Sequence, residues 1–194
     1  VAKECKVLLI NGALASEDIK KVFSIEPFYK LTTISELSYT SDLTAQADLI
    51  ILNGINDVSS GLANDLIELS EQGHSIALFP GDNINTASWN TFLAKLNLPL
   101  VGNTISTGNR INAIDYKNPF FIGMFDKEKA DLNLPSISKS YSVVNANQSA
   151  AYPLLKQRNG NPLLLKSPGN YSNYLYTSSL ALSFGNFTQN AIFP

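Results

Sequence analysis

One cysteine and one histidine, Cys5 and His74, are the only residues of this chain that could by type form a thiol–imidazole dyad. A disulfide needs a second cysteine, and a zinc site needs several Cys or His ligands at short spacing, so neither can be built. Hydrolysis by a Ser-His-Asp or Cys-His arrangement survives only if His74 is the base and stands where a substrate reaches it. Carboxylates are the other resource. Asp57, in Asn56-Asp57, and Asp82, in Gly81-Asp82-Asn83, could bind a metal or act as acid and base. Both also sit in common turn and cap sequences, which is the plainer reading. The loop glycines form no phosphate cradle, since neither G-x-G-x-x-G nor G-K-[ST] is present.

The elements that must position these residues alternate through the first half of the chain. Lys6-Val7-Leu8-Leu9-Ile10 is a continuous apolar run ending at Asn11-Gly12, as expected of a strand buried on both faces. Ser16 is placed to cap a helix with Glu17 and Asp18 in its first turn and Lys20 and Lys21 later, matching the helix dipole. Phe28 to Ile34 reads as a second strand and Asp48 to Leu52 as a third, stopped by Asn53-Gly54. A helix starting at Ser59 or Ser60 carries Leu62, Leu66 and Leu69 on one face and ends at Gly73. Ser75 to Phe79 is a fourth strand, broken by Pro80-Gly81-Asp82; Ser88 then caps a helix that buries Trp89, Phe92, Leu93 and Leu96. Buried strands separated by amphipathic helices require right-handed crossovers and a parallel sheet.

From about residue 100 the character changes. Ile105 to Ile114 is polar and Asn-rich, Pro119 to Phe125 is aromatic, and Asp126 to Asp131 reads as a solvated charged turn. Ala151 to Leu155 and Pro162 to Lys166 flank Asn159-Gly160, a strong hairpin signal, and Tyr174 to Leu182 is a last strand with a short helix after it. With no linker between the halves, 1–194 reads as a single α/β domain. Its expected form is a three-layer, flavodoxin-like or doubly wound, mostly parallel sheet with a C-terminal hairpin extension. Residues 1–100 form the βα core, and 101–194 supply strands and loops added to the same sheet.

Ligands of open parallel sheets bind beyond the carboxyl ends of the strands. That rule selects Asn11 and Gly12 after the first strand, Asn53 and Gly54 after the third, and Pro80, Gly81 and Asp82 after the fourth as candidate ligand-binding residues. Cys5 and His74 precede their strands instead. They fall at the amino edge, about 10 Å apart if one strand separates theirs, and cannot form a dyad.

The succession Ala47-Asp48-Leu49-Ile50-Ile51-Leu52-Asn53-Gly54, helix, Gln72-Gly73-His74-Ser75-Ile76-Ala77-Leu78-Phe79-Pro80-Gly81 resembles the core of the class I glutamine amidotransferase-like superfamily. More narrowly, Phe79-Pro80-Gly81, Asn118-Pro119-Phe120-Phe121 with Phe125, and Ser183-Phe184-Gly185-Asn186-Phe187 to Phe193-Pro194 resemble the soluble region of bacterial membrane-anchored aerotolerance-operon (Bat-type) proteins. The superfamily resemblance implies a nucleophile elbow, Gly-x-Cys-x-Gly, after the fourth strand and a His-x-Glu partner from a later loop. Here the position nearest that cysteine is Pro80, and no histidine follows His74, so the resemblance implies an inactive member.

The expectation is a non-catalytic binding or scaffolding domain of a larger, membrane-anchored bacterial protein, soluble itself and extracytoplasmic. The alternative is a hydrolase or small-ligand domain, carbohydrate included, using carboxylates at the carboxyl edge. Neither a metal nor a cofactor is implied. A net charge of −2 from 14 Lys plus Arg and 16 Asp plus Glu is too little positive charge for a phosphate backbone, so nucleic acid is not an expected partner. No apolar run is long enough to span a bilayer, so no membrane insertion is expected. A protein partner or self-association remains. The chain starts at Val1 without Met and stops within an apolar stretch at Pro194, which reads as a piece cut from something longer.

Overall fold

Val7, Leu8, Leu9 and Ile10 are each at most 2% exposed in the computed structural model, because β1 (Cys5–Asn11) lies in the interior of a sheet covered on both sides. The structure describes residues 4–112, 114–122, 134–145, 149–170 and 172–190. Phe125, the 126–131 stretch and Phe193-Pro194 lie outside the described residues. The following elements are α1 (Asp18–Phe23), β2 (Tyr29–Ser35), α2 (Ser41–Thr44), β3 (Leu49–Ile55), α3 (Ser60–Glu71), β4 (Ser75–Pro80) and α4 (Thr86–Lys95). Then come β5 (Leu100–Arg110), β6 (Ser136–Val144), β7 (Tyr152–Lys156), β8 (Pro162–Lys166) and β9 (Asn173–Tyr176).

The main sheet has seven strands in the order β2-β1-β3-β4-β9-β8-β7, and only β8 runs against the rest. The protein is thus α/β with a mostly parallel sheet, and its first four strands follow the flavodoxin-like order. Alternate residues feed opposite faces. Leu8, Ile10, Ile50, Leu52, Ile76 and Leu78 pack against Leu62, Leu66 and Leu69 of α3 and Trp89, Phe92 and Leu93 of α4. Val7, Leu9 and Ile51 pack on the other face with Ile19 of α1, and Leu163 and Tyr176 extend that cluster.

Local signals place most boundaries. Ser59 caps α3 by accepting from the Leu62 amide, and Gly73 at φ +94° closes it, with Gly73 N–H donating to Ser70 and His74 N–H to Leu69. That is the double bond of a glycine-terminated helix. Gly160 at φ +89° turns the β7–β8 hairpin as Asn159-Gly160 predicts.

Several expectations are corrected. Ser88 does not cap α4; Asn85 does, its side-chain oxygen accepting from the Ala87 and Ser88 amides, because the helix starts one turn earlier. Ser16 lies one residue before the cap position Glu17, yet its hydroxyl still accepts from the Asp18 amide at 3.2 Å. β3 runs on through Asn53 and Gly54 to Ile55, and the last strand ends at Tyr176 rather than Leu182. The additional strands do not all join one sheet. β7, β8 and β9 do, but β5 and β6 form a separate antiparallel ribbon. Val101, Tyr141 and Val143 of the ribbon enter the α3–α4 cluster, whereas Ile137 of β6 and Ile111 just beyond β5 enter the opposite one. Tyr141 N–H donates to the carbonyl of Thr177, just past β9, so the ribbon passes from face to face around the sheet's carboxyl edge.

Candidate functional site

Asn11, Gly12, Asn53, Gly54, Pro80, Gly81 and Asp82 all fall at the carboxyl ends of β1, β3 and β4, and the structure brings most of them into contact. The Asn53 amide, 1% exposed, donates to the side-chain oxygen of Asn11 at 2.9 Å and to the Ser16 carbonyl at 2.8 Å. Gly12 N–H donates to the Asn53 carbonyl and Gly81 N–H to the Ile55 carbonyl. Gly54 adopts φ +70°, where β3 slips its register against β4.

The glycines are there for close approach of backbone to backbone. A Cβ on Gly12 would strike the Gly54 carbonyl oxygen. One on Gly81 would strike the side-chain oxygen of Asn56 and stand 3.0 Å from that same carbonyl. One on Gly54 would stand 2.8 Å from Ala15 Cα, in a backbone conformation that already disfavours a side chain. At these three positions the room a side chain would take is occupied by neighbouring chain.

Two asparagines tie the loops further. Asn56 accepts from Asn83 N–H through its side chain and from Asn85 N–H through its carbonyl, at 2.7 Å. Above them sits Tyr141 of the ribbon, 4% exposed, whose hydroxyl donates to the Gly81 carbonyl at 2.7 Å and accepts from Ile84 N–H at 3.4 Å. Burial pushes that hydroxyl above the ordinary tyrosine range; the Ile84 amide opposes this and the Asp82 carboxylate adds to it. It stays a neutral donor.

Pro80 is buried opposite Ile55, while Asp82 and Asp57 are both exposed. Asp57 acts on Glu36 instead, whose carboxyl is held above the usual range by burial and by Asp57's charge. Among the described residues no three His, Cys, Asp or Glu side chains gather closely enough to hold a metal ion. Two open grooves, of about 270 and 380 Å³, are lined by other residues: Lys6, Lys30 and Leu43 in one, Asn97, Asn145 and Pro168 in the other. The first residue of β1, Cys5, and His74, just before β4, stand at the amino edge with β3 between their strands. His74 Nδ1 lies 2.6 Å from the Ala47 carbonyl, bracing the start of β3.

Neither a family model nor a curated protein matches the sequence. Solved structures do. A ThuA-like protein from Bacteroides uniformis superposes with a TM-score of 0.70 at 14% identity, over 99% of this chain and 88% of that one. A glutamine amidotransferase from Thermotoga maritima superposes with a TM-score of 0.51 at 10% identity, over 89% and 74%. The fold is glutamine amidotransferase-like. The N-terminal domain of mmIFT52 shares the architecture as well, with a TM-score of 0.58 at 13% identity, over 91% and 90%. At these identities the amidotransferase-like likeness is one of fold.

Tyr141 and Asn85 are the parts of this region that sequence reasoning missed, whereas Asn56 lies in the loop after β3 that the strand-end rule points to. Asn85 had a signal, a good capping side chain three residues ahead of Ser88. Tyr141 sits in Ser136-Ile137-Ser138-Lys139-Ser140-Tyr141-Ser142-Val143, where Ile137, Tyr141 and Val143 at even spacing, interrupted by Lys139, suggest a strand but not what the strand crosses.

Proposed function

We propose that the chain is a non-catalytic binding or scaffolding domain built on the amidotransferase-like fold. The observation that carries this reading is the closed carboxyl edge, where Gly12 and Gly81 pack on the Gly54 carbonyl and Tyr141 seals Gly81 from above. Pro80 supports it by offering no nucleophile at the position where the superfamily's elbow is expected. The single histidine supports it too, held at the far edge against Ala47. A larger bacterial, membrane-anchored parent with this domain on its extracytoplasmic side belongs to the same proposal. It rests on the likeness of Phe79-Pro80-Gly81 and Asn118-Pro119-Phe120-Phe121 to Bat-type proteins. Cell fractionation of the full gene product tests that part, with recovery in the membrane fraction expected.

Incubation of the purified domain with glutamine and a panel of esters tests the main part. No turnover above the buffer rate is expected. Turnover that disappears in Asp82→Ala would overturn the reading and revive a carboxylate-based hydrolase at this edge.

A further inference from the structure

The sheet has two outer strands, and they are built differently. β7 carries Pro153, which cannot donate to a neighbouring strand, and its register against β8 slips twice, between Pro153 and Leu155 and between Leu155 and Lys156. Such irregularity blunts an edge. β2 has none of it: Tyr29 to Ser35 pair with β1 in seven consecutive residue pairs without a slip, without proline or glycine, and β2 ends the sheet. Lys30, Thr32, Thr33 and Ser35 are exposed along it.

Apolar surface collects at the same place. Of nine large apolar side chains left exposed among the described residues, Ile25, Phe28, Leu37 and Leu43 flank β2. Phe28 stands at its amino end and Leu37, 92% exposed, just past its carboxyl end. An uncovered, regular, β-branched edge bordered by apolar residues is a template for another strand.

We propose that β2 is a self-association edge, pairing antiparallel with β2 of a second copy of this chain about a two-fold axis near Thr32. The residues are self-complementary in that arrangement. Lys30 of one copy lies opposite Ile34 of the other, next to the strand end at Ser35 that Glu36 directly follows, so a base of one copy comes near an acid of the other. Phe28 of one copy meets the Leu37 end of the other. Glu36 makes no ion pair among the described residues, and partial burial, with the charge of Asp57 adding to it, disfavours its ionised form, so a cation from the second copy would relieve it. The axis applies every contact twice, and because the blunted β7 edge is left over, the assembly closes at two copies instead of growing. The inference stands apart from whether the carboxyl edge is catalytic.

Sedimentation equilibrium of the purified chain is expected to show a dimer at micromolar concentration; a monomer throughout that range would overturn the proposal. Lys30→Glu and Glu36→Lys are each expected to weaken the dimer about tenfold, two symmetric contacts being affected, and the double variant to recover to within about twofold. Glu4, which pairs with Lys30 inside the chain at 3.3 Å, is unsettled by Lys30→Glu but not resettled by Glu36→Lys, so recovery reports on contact between copies. Singles without effect, or a double that stays weak, would contradict the register. Thr32→Cys in a Cys5→Ser background adds a readout independent of charge and decides the matter if a charge variant fails to fold. Oxidation should link the copies at position 32, and a chain that stays unlinked would count against the two-fold at Thr32.

Discussion

The carboxyl ends of β1, β3 and β4 and the outer strand β2 belong to one sheet, yet they treat exposed backbone in opposite ways. At the carboxyl ends the chain uses glycines to bring three loops within contact distance, ties them through Asn53, Asn56 and Asn85, and lays Tyr141 across the top. Along β2 a regular strand is left without a neighbour on its outer side, between Phe28 and Leu37. In this protein the carboxyl ends of β1, β3 and β4 are held together chain to chain, although the Asn53 side-chain oxygen stays buried there without a partner among the described residues, whereas the flank of the sheet leaves a whole strand unpaired on one side.

The contrast can be broken most severely at Gly12. Gly12→Ala drives a Cβ into the Gly54 carbonyl of a neighbouring strand, and backbone cannot swing aside as a side chain can. A loss of about 3 kcal/mol in denaturant unfolding is expected, whereas the same substitution at Gly160, where a Cβ meets open space, should cost less and act only through its φ. Tyr141→Phe removes the donor to the Gly81 carbonyl and leaves that buried acceptor unpaired, for about 1 to 2 kcal/mol. Asn85→Ala removes the α4 cap, for about 1 kcal/mol.

The smallest effect lies at the corner where the two regions meet. Glu36 holds its proton more tightly in the folded chain than in the unfolded one, because it is partly buried beside Asp57. Its contribution to stability is therefore present below the ordinary glutamate range and lost as the pH rises through the raised value. Glu36→Gln should raise the melting temperature slightly at neutral pH, measured on dilute protein, and the gain should shrink below about pH 4.

Much of the fold was legible because its signals are local. Three apolar runs marked β1, β3 and β4, the β-rich stretch from Phe28 to Ile34 marked β2, Gly73 the end of α3, and Asn159-Gly160 the hairpin between β7 and β8. The ribbon was not, since β5 is polar and carries Gly102 and Gly108, and its partner residues in β6 lie 26 (Arg110 to Ser136) to 44 (Leu100 to Val144) positions away along the chain. Its pairing depends on contacts that no window of sequence contains. The site divides the same way. Strand ends named Asn11, Gly12, Asn53, Gly54, Pro80, Gly81 and Asp82, but a glycine that frees room for a ligand and one that admits a neighbouring backbone look identical in sequence. Only the positions of Gly54 and Ala15 distinguish them.

Amide hydrogen exchange tests the closed edge most directly. The amides of Gly12, Gly81 and Asn85, which donate to Asn53, Ile55 and Asn56, should be protected to within about tenfold of Leu9 and Leu52 in the core strands. If they exchange as fast as exposed Asn159 in the hairpin turn, the edge is an open loop awaiting a ligand, and the non-catalytic reading loses its structural basis.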